Sequence, residues 1–371
     1  MNKTCALFAS PIRSFAAALF LLMVAAVPGP AWSQAIYTTY QNGVRIGTIN
    51  PASGVGVDIG ATGQADVWAL AFDVDGTIYT TYDGYTPNAQ LARIGRQTGA
   101  VTTLIGGLGV SLVALEIDVA GQLWGVGDAD GVLYRINKVT AAKTAVGPTG
   151  LLNVMDLAFD PSGGLYATVG NELYRLDLAT GASTTVASIT GTVAEVMGIM
   201  FDSSGTLFAT EYGPNSPLYR INLTTGVATV VGSTGLDYPH GGDIPATPPG
   251  APTCAAQTAG VGSALVAFVA PSSNGGAPIT GYGAVCVSSD GGVSGSGAGT
   301  ASPILVGSLT AGKTYTCTVT ATNGAGTSPA SAACSALVVL APPVIPTLSA
   351  WAMVILAGLV GLYGFARLRR G

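Results

Sequence analysis

LAFDPSGGLYATVGNELYRLDLATGASTTVASITG, residues 157–191, decides the fold. It holds four short runs rich in aromatic, aliphatic and β-branched residues. Turn residues separate them: Asp160-Pro161-Ser162-Gly163, then Gly170-Asn171, then Ala179-Thr180-Gly181. Runs bounded in this way read as strands. The pattern returns in IMFDSSGTLFATEYGPNSPLYRINLTTGVATVVGSTG (199–235). It is present earlier in LAFDVDGTIYTTYDGYTPNAQLARIGRQTGAVTTLIGGLG (70–109) and LEIDVAGQLWGVGDADGVLYRINKVTAAKTAVGPTG (115–150). The spacing is about 42 residues, the length of a four-stranded propeller blade. Tyr37, Tyr79, Trp124, Tyr166 and Phe208 read as one repeated position, and Arg45, Arg93, Arg135, Arg175 and Arg220 as another.

The first unit, IYTTYQNGVRIGTINPASGVGVDIGATG (36–63), lacks an opening strand, and a spare piece, DYPHGGDIPA (237–246), follows the last unit. Lending the spare piece to the first unit closes a ring and removes the exposed sheet edges. The expected fold is all-β, with a five-bladed β-propeller over 34–246. The repeat resembles NHL-type and sugar-lactonase-like propellers, whose units also run strand, Asp-x-x-Gly turn, strand with an aromatic.

Composition agrees: 53 glycines and only 9% charged residues suit short strands and tight turns rather than helices. Residues 34–245 carry eight Lys/Arg against eighteen Asp/Glu, and an acidic body of this kind excludes nucleic acid as a partner. At the N-terminus, Lys3 and Arg13 make a positive region ahead of FAAALFLLMVAAV (15–27), and PGPAWSQA (28–35) ends in small residues. Residues 1–33 thus read as a signal peptide for signal peptidase.

The repeat also sorts the loops. The Asp-x-x-Gly and x-T-G turns share one face. The other two loop sets vary in length and share the opposite face, where binding on a rigid scaffold is expected. That face receives Asp66, Asp83, Tyr85, Asp128, Asp130, Glu195, Glu211, Tyr212 and the only histidine, His240. Carboxylates around a channel mouth suit Ca²⁺, with Asp128 and Asp130 as the metal candidates. They equally suit a glycan, with the tyrosines as stacking surfaces; a solvated acidic rim is the plain alternative. Glu116, Asp156 and Asp243 lie on the opening strands, either paired with the repeated arginines or lining a site. His240 with Asp243 is a candidate base with its orienter, and a plain turn histidine at the ring closure is the alternative. No G-x-S-x-G elbow exists, and no catalytic residue is assigned.

PATPPGAP (245–252) reads as a stiff proline-rich linker, with the linker proper at 247–252. Beyond it lie all four cysteines of the body, Cys254, Cys286, Cys317 and Cys334; an even number in an exported chain suggests disulfides, in any of three pairings. Two stretches, APSSNGGAPITGY (270–282) and LTAGKTYTCTVTATNGAG (309–326), resemble bacterial fibronectin type III domains. The resemblance implies a seven-stranded β-sandwich over 253–340 with Tyr315 in the corner position. It also implies neighbouring strands that bring Cys286 to Cys317 and Cys254 to Cys334.

The tail, IPTLSAWAMVILAGLVGLYGFARLRRG (345–371), is uncharged from Leu348 to Ala366 and ends in Arg367, Arg369 and Arg370. By length and charge it is a transmembrane helix with a cytoplasmic C-terminus. Ile345, Pro346, Thr347, Leu348 and Trp351 resemble the IPTL-CTERM sorting signal, with Ala352 replacing the usual glycine. That resemblance implies cleavage by an exosortase-type membrane protease and delivery to the cell surface or medium.

The expected function is non-enzymatic: an exported recognition or adhesion protein with a fibronectin spacer, whose partner is a glycan or surface polymer. A propeller hydrolase acting on lactones or glycans through the acidic loops is the alternative, and a structural matrix protein is another.

Overall fold

Twenty strands between Ile36 and Asp243 pair into five four-stranded antiparallel sheets. The computed structural model describes residues 34–343 and 349–369. The expected signal peptide, the sorting-signal residues Ile345, Pro346, Thr347 and Leu348, and Arg370 lie outside the described residues.

The opening strands of the sheets are His240–Asp243, Ala71–Phe72, Leu112–Ile117, Asp156–Phe159 and Val196–Phe201. Each packs against the next, and Val196–Phe201 meets His240–Asp243, so the five form a closed, propeller-like ring. The closing strand comes from the far end of the repeat: His240–Asp243 pairs antiparallel with Ile36–Tyr40, Tyr37 opposite Asp243 and Thr38 opposite Gly242. Burial grades outward. Leu112–Ile117 and Val196–Phe201 are buried at every position, whereas the fourth strands, such as Ser183–Ser188, face solvent at about half of theirs. Opening strands buried on both faces favour apolar runs, and Val196–Phe201 (VMGIMF) supplies one, whereas His240–Asp243 (HGGD) closes the ring with small and polar residues.

The Asp-x-x-Gly turns follow one local plan. Asp160 Oδ1 accepts the amides of Ser162 at 2.8 Å and Gly164 at 2.9 Å. Asp202 holds Ser204 and Thr206 in the same way, each at 2.9 Å. The glycines that end these turns, Gly76, Gly121, Gly163 and Gly205, have φ of +84°, +81°, +88° and +85°, a region L-residues avoid. In Asp73-Val74-Asp75-Gly76 the second acid takes over, Asp75 Oδ1 accepting Thr77 N at 2.9 Å, and Asp73 pairs with Lys138 of the next sheet. The doubled acid is turn chemistry and an ion pair.

The arginine reading needs one correction. Arg93, Arg135, Arg175 and Arg220 stand directly opposite Tyr79, Trp124, Tyr166 and Phe208. Three of these guanidinium groups lie 5.0–5.6 Å from the facing ring centroid, at Tyr79, Trp124 and Phe208. These are cation–π pairs that stiffen each hairpin. Arg45 does not belong to this set. It opens its strand opposite Tyr40, where it bonds Asp58, and Thr48 occupies the repeated position opposite Tyr37. Arg96 serves Tyr37 instead, its Nε donating to the Tyr37 hydroxyl at 3.0 Å.

Residues Thr253–Val338 form ten short strands in three further sheets, rather than seven continuous ones. The Gly- and Ser-rich stretch GSGAG (295–299) is itself a strand, paired along its whole length with Gly281–Ser288. The longest pair is Gly281–Ser288 with Thr314–Asn323. Alternation puts Tyr315, Cys317, Val319 and Ala321 fully inside. Cys286 bonds Cys317 and Cys254 bonds Cys334. The Tyr315 hydroxyl donates to Val293 O at 2.7 Å and accepts Thr310 N at 2.8 Å.

The segment between these two regions is held rather than free. Thr247 N donates to Gly275 O at 2.7 Å and Gly250 N to Ser273 O at 2.9 Å. Asn323 Nδ2 donates to both Thr247 O and Asn274 O at 2.7 Å. Gly276 approaches Ser203, and Gly324 approaches Val74, so the Asn-Gly-Gly loop and its neighbour sit against the Asp-x-x-Gly turns. The stiff spacer expected from the prolines is a clamped strap because the loop at 273–275 offers it backbone partners.

The one helix of the described residues runs Ala350–Leu368. Among the described residues no helix is long and apolar enough to cross a membrane. The expected span of 348–366 starts two residues before this helix.

Candidate functional site on the irregular-loop face

The irregular-loop end of the ring carries a chain of aromatic side chains. Trp68 lies just before an opening strand, and His240 begins the closing one. Their rings meet edge to face with centroids 3.9 Å apart. Tyr85 packs on the far side of Trp68 at 4.9 Å. Tyr212 lies 5.7 Å from His240, and Tyr238 lies 5.0 Å from Tyr212. The inner two are buried, His240 at 3% exposure and Trp68 at 9%, while Tyr85 and Tyr212 are 45% and 43% exposed.

Four buried polar atoms here have no partner. Trp68 Nε1, both His240 ring nitrogens and Asp128 Oδ1 are buried without a hydrogen bond. Buried polar atoms are normally satisfied, so this concentration is unusual. Burial pushes the His240 pKa down to about 3, which keeps the imidazole neutral. Burial, then the charges of Asp128, Glu195 and Asp66, push the Tyr85 hydroxyl up to about 12. Those three carboxylates therefore act on one hydroxyl, although they come from three separate loops. Asp128 itself is raised by burial, with Ser111 Oγ donating to its Oδ2 at 3.3 Å.

The other expected residues do local work. Asp83 is exposed at φ +54° and its carbonyl accepts Thr86 N at 3.0 Å. Asp130 accepts Val132 N at 3.1 Å and the Tyr134 hydroxyl at 2.7 Å, closing its own turn. Glu211 Oε2 accepts Val193 N at 2.8 Å and Ala194 N at 3.0 Å, which shapes the loop before the last opening strand. Among the described residues no group of three or more His, Cys, Asp or Glu side chains is placed to hold a metal ion. Trp68 and Tyr238 are the residues that sequence reading passed over. Trp68 follows Asp66 in a variable loop, and its apolar neighbours make it look like core.

The inner carboxylates serve the ring itself. Asp156 Oδ2 accepts Ile199 N at 2.8 Å and Gly242 N at 3.2 Å. Asp243 accepts Phe72 N and Ile244 N, both at 2.6 Å. Neither acid meets an arginine, and the His240 nitrogens do not reach Asp243, so the two are not an acid–base pair. Glu116 and Asp243 line one cavity of about 80 Å³ on the regular-turn side, which Pro245, Ala246 and Gly276 help to wall. Burial, and then the neighbouring Asp243, push Glu116 well above the usual carboxylate range, and burial pushes Asp243 up to about 7. A space this small falls well below the 300–1,000 Å³ of ordinary ligand pockets.

Residues 345–370 match the IPTL-CTERM motif. Signals of this kind are processed by exosortase-type machinery, and the match implies export and sorting to the cell surface. No curated protein matches the chain. Similar solved structures include a structural genomics protein of unknown function from Bacteroides thetaiotaomicron VPI-5482, 14% identical over 67% of this chain and 66% of that one, with a TM-score of 0.43. The nidogen/laminin complex is 15% identical over 63% and 85%, with a TM-score of 0.41. Virginiamycin B lyase from Staphylococcus aureus is 15% identical over 80% and 93%, with a TM-score of 0.34.

Proposed function

We propose that the chain is an exported recognition protein of the cell surface and that its irregular-loop face holds the ligand. The observation that carries this reading is the aromatic chain Tyr85, Trp68, His240 and Tyr212, built from three sheets, with half-exposed rings at its ends and the charges of Asp128 and Glu195 reaching Tyr85. We read 34–246 as the five-bladed propeller, 247–252 as its strap, and 253–340 as a fibronectin type III domain. On this reading the sandwich and strap sit at the regular-turn end and leave the irregular-loop end to a partner. We assign 1–33 as the signal peptide and 345–371 as the sorting tail. Trp351, Val354, Ile355, Leu359 and Phe365 are exposed on the tail helix, which supports its engaging the membrane before exosortase-type cleavage.

An enzymatic role gains nothing from the inner acids. Asp156 is spent on backbone amides, and Glu116 and Asp243 share a cavity too small for a glycan. The test is to purify the exported protein and measure retention and turnover on a panel of envelope polymers, glycans and lactones. Saturable retention without turnover is expected. Turnover of a lactone or glycan would overturn the reading.

A further inference from the structure

On the recognition reading above, the side chains left exposed at the irregular-loop end define the partner. Val44, Tyr85, Leu152, Val193 and Tyr212 are exposed there, each on a different loop, with Val193 at 89%. Exposed apolar side chains are ordinary singly, but gathered on one end of a ring they mark an interaction surface. Asp66, Asp83 and Glu195 are exposed on loops of the same end, and no described residue donates a hydrogen bond to their carboxylates. No lysine or arginine occurs in any of these loops, from 41–44 round to 234–239. The ion pairs Arg45–Asp58 and Lys138–Asp73 involve none of these acids. The loops are also braced against one another before any partner arrives. Leu112 N donates to Gly84 O at 2.6 Å, Tyr212 N to Glu195 O at 2.7 Å, Tyr238 N to Gly213 O at 2.8 Å and Asn153 N to Asp128 O at 3.2 Å. A surface already ordered loses little conformational entropy on binding.

We propose that the irregular-loop end docks a basic protein. Lysine and arginine head groups of the partner pair with Asp66, Asp83 and Glu195. Its apolar side chains, and the aliphatic stems of those same lysines and arginines, pack on Tyr85, Leu152, Val193 and Tyr212. A guanidinium group over the face of Tyr85 or Tyr212 repeats the pairing that the ring makes internally at Arg93 and Tyr79. Charge complementarity selects this partner. An acidic protein, an anionic polymer or a second copy of this acidic body meets unpaired carboxylates on three loops and no cation. A neutral saccharide leaves those carboxylates unpaired and gains little from the aliphatic Leu152 and Val193, which a protein partner buries. The carboxylates act together, since the charges of Asp128, Glu195 and Asp66 all reach the Tyr85 hydroxyl.

The experiment immobilises the purified exported protein and offers it soluble probes: a lysine–phenylalanine copolymer, poly-lysine, poly-glutamate, glycol chitosan and dextran. Binding isotherms are compared for the unmodified chain, for Asp66→Asn with Glu195→Gln, and for Leu152→Ser with Val193→Ser. All four positions are exposed, asparagine tolerates the left-handed φ of +56° at Asp66, and thermal midpoints check that the fold is unchanged. Saturable binding of the lysine–phenylalanine copolymer is expected, tighter than that of poly-lysine and weakened about fivefold or more by each double variant and by added salt. Poly-glutamate bound best, a copolymer held no tighter than poly-lysine, or copolymer binding that neither double variant moves would overturn the basic-protein assignment. Glycol chitosan or dextran bound most tightly, and weakened by both double variants, overturns it while leaving recognition at this face standing. Retention of no probe of any class defeats both.

Discussion

Asp156 ties the ring to its own closing strand. Its Oδ2 accepts the amide of Gly242, 86 residues further along the chain, at 3.2 Å, and the amide of Ile199 at 2.8 Å. The chain's last propeller strand is thus fastened by zipper-like pairing to Ile36–Tyr40 and also by a carboxyl group from a different sheet. Removing that acceptor leaves two buried N–H groups unmet. Asp156→Ala should cost about 2–4 kcal/mol in denaturant unfolding, while Asp156→Asn, which keeps an acceptor oxygen, should cost less than half as much. Equal losses for the two variants would mean that the carboxyl group is not working as this acceptor.

Glu116 and Asp243 should make stability depend on pH in a definite direction. Both folded-state pKa values are raised, Asp243 to about 7. The folded state then holds protons that the unfolded chain releases near pH 4, so stability falls as pH rises through 4–7, by up to about 1.4 kcal/mol per pH unit for each such proton. Glu116→Gln keeps an oxygen for Ile117 N, now accepted at 2.9 Å, and removes one of the two acids. Its thermal midpoint should change less between pH 5 and pH 8 than that of the unmodified chain. An unchanged or steeper pH dependence would contradict the pairing.

Two turn glycines should respond unequally to alanine. Gly163 has φ +88° with open space where a side chain would go. Gly181 has φ +82°, and an added methyl would overlap the Gly147 backbone of the preceding sheet. Gly163→Ala should cost about 1 kcal/mol from the backbone alone. Gly181→Ala should cost about 1–3 kcal/mol more, because the turn packs between sheets. Urea titration of the two variants compares them directly.

The region of the three smaller sheets should lose stability when its two disulfides are removed. The exported protein should show no free thiol until it is reduced, and four afterwards. Cys254→Ser with Cys334→Ser opens a link spanning 80 residues and should cost about 2–5 kcal/mol. Thiol titration with and without reductant reads the first outcome, and four free thiols in the untreated protein would contradict the pairing.

Much of the ring was legible because its physics is periodic. Asp-x-x-Gly turns demand the same residues in every repeat, so the strand order and the borrowed closing strand could be read from spacing alone. Arg45 misled because the first unit carries an arginine three residues from the repeated position, and only the pairing register separates Tyr40 from Tyr37 as its neighbour. The site was half legible. The variable loops marked the face, and Tyr85, Asp128, Glu195, Tyr212 and His240 do gather there. Trp68 was missed because its burial comes from loops distant in sequence. Asp130 and Glu211 also satisfy nearby groups, Asp130 within its own turn and Glu211 across to the amides of 193–194, a choice that composition does not encode. The prolines of 247–252 announce a stiff linker, but its clamping by Ser273, Gly275 and Asn323 comes from residues distant in sequence.

Hydrogen–deuterium exchange tests the central claim most directly. The exported protein is compared with and without a saturating excess of the envelope polymer or glycan that it retains most strongly. Protection of loops 82–90, 127–131, 191–195, 211–217 and 236–240, with the Asp-x-x-Gly turns unchanged, is the predicted result. Protection confined to those turns or to residues 253–340, or absent altogether, would contradict a ligand site on the irregular-loop face.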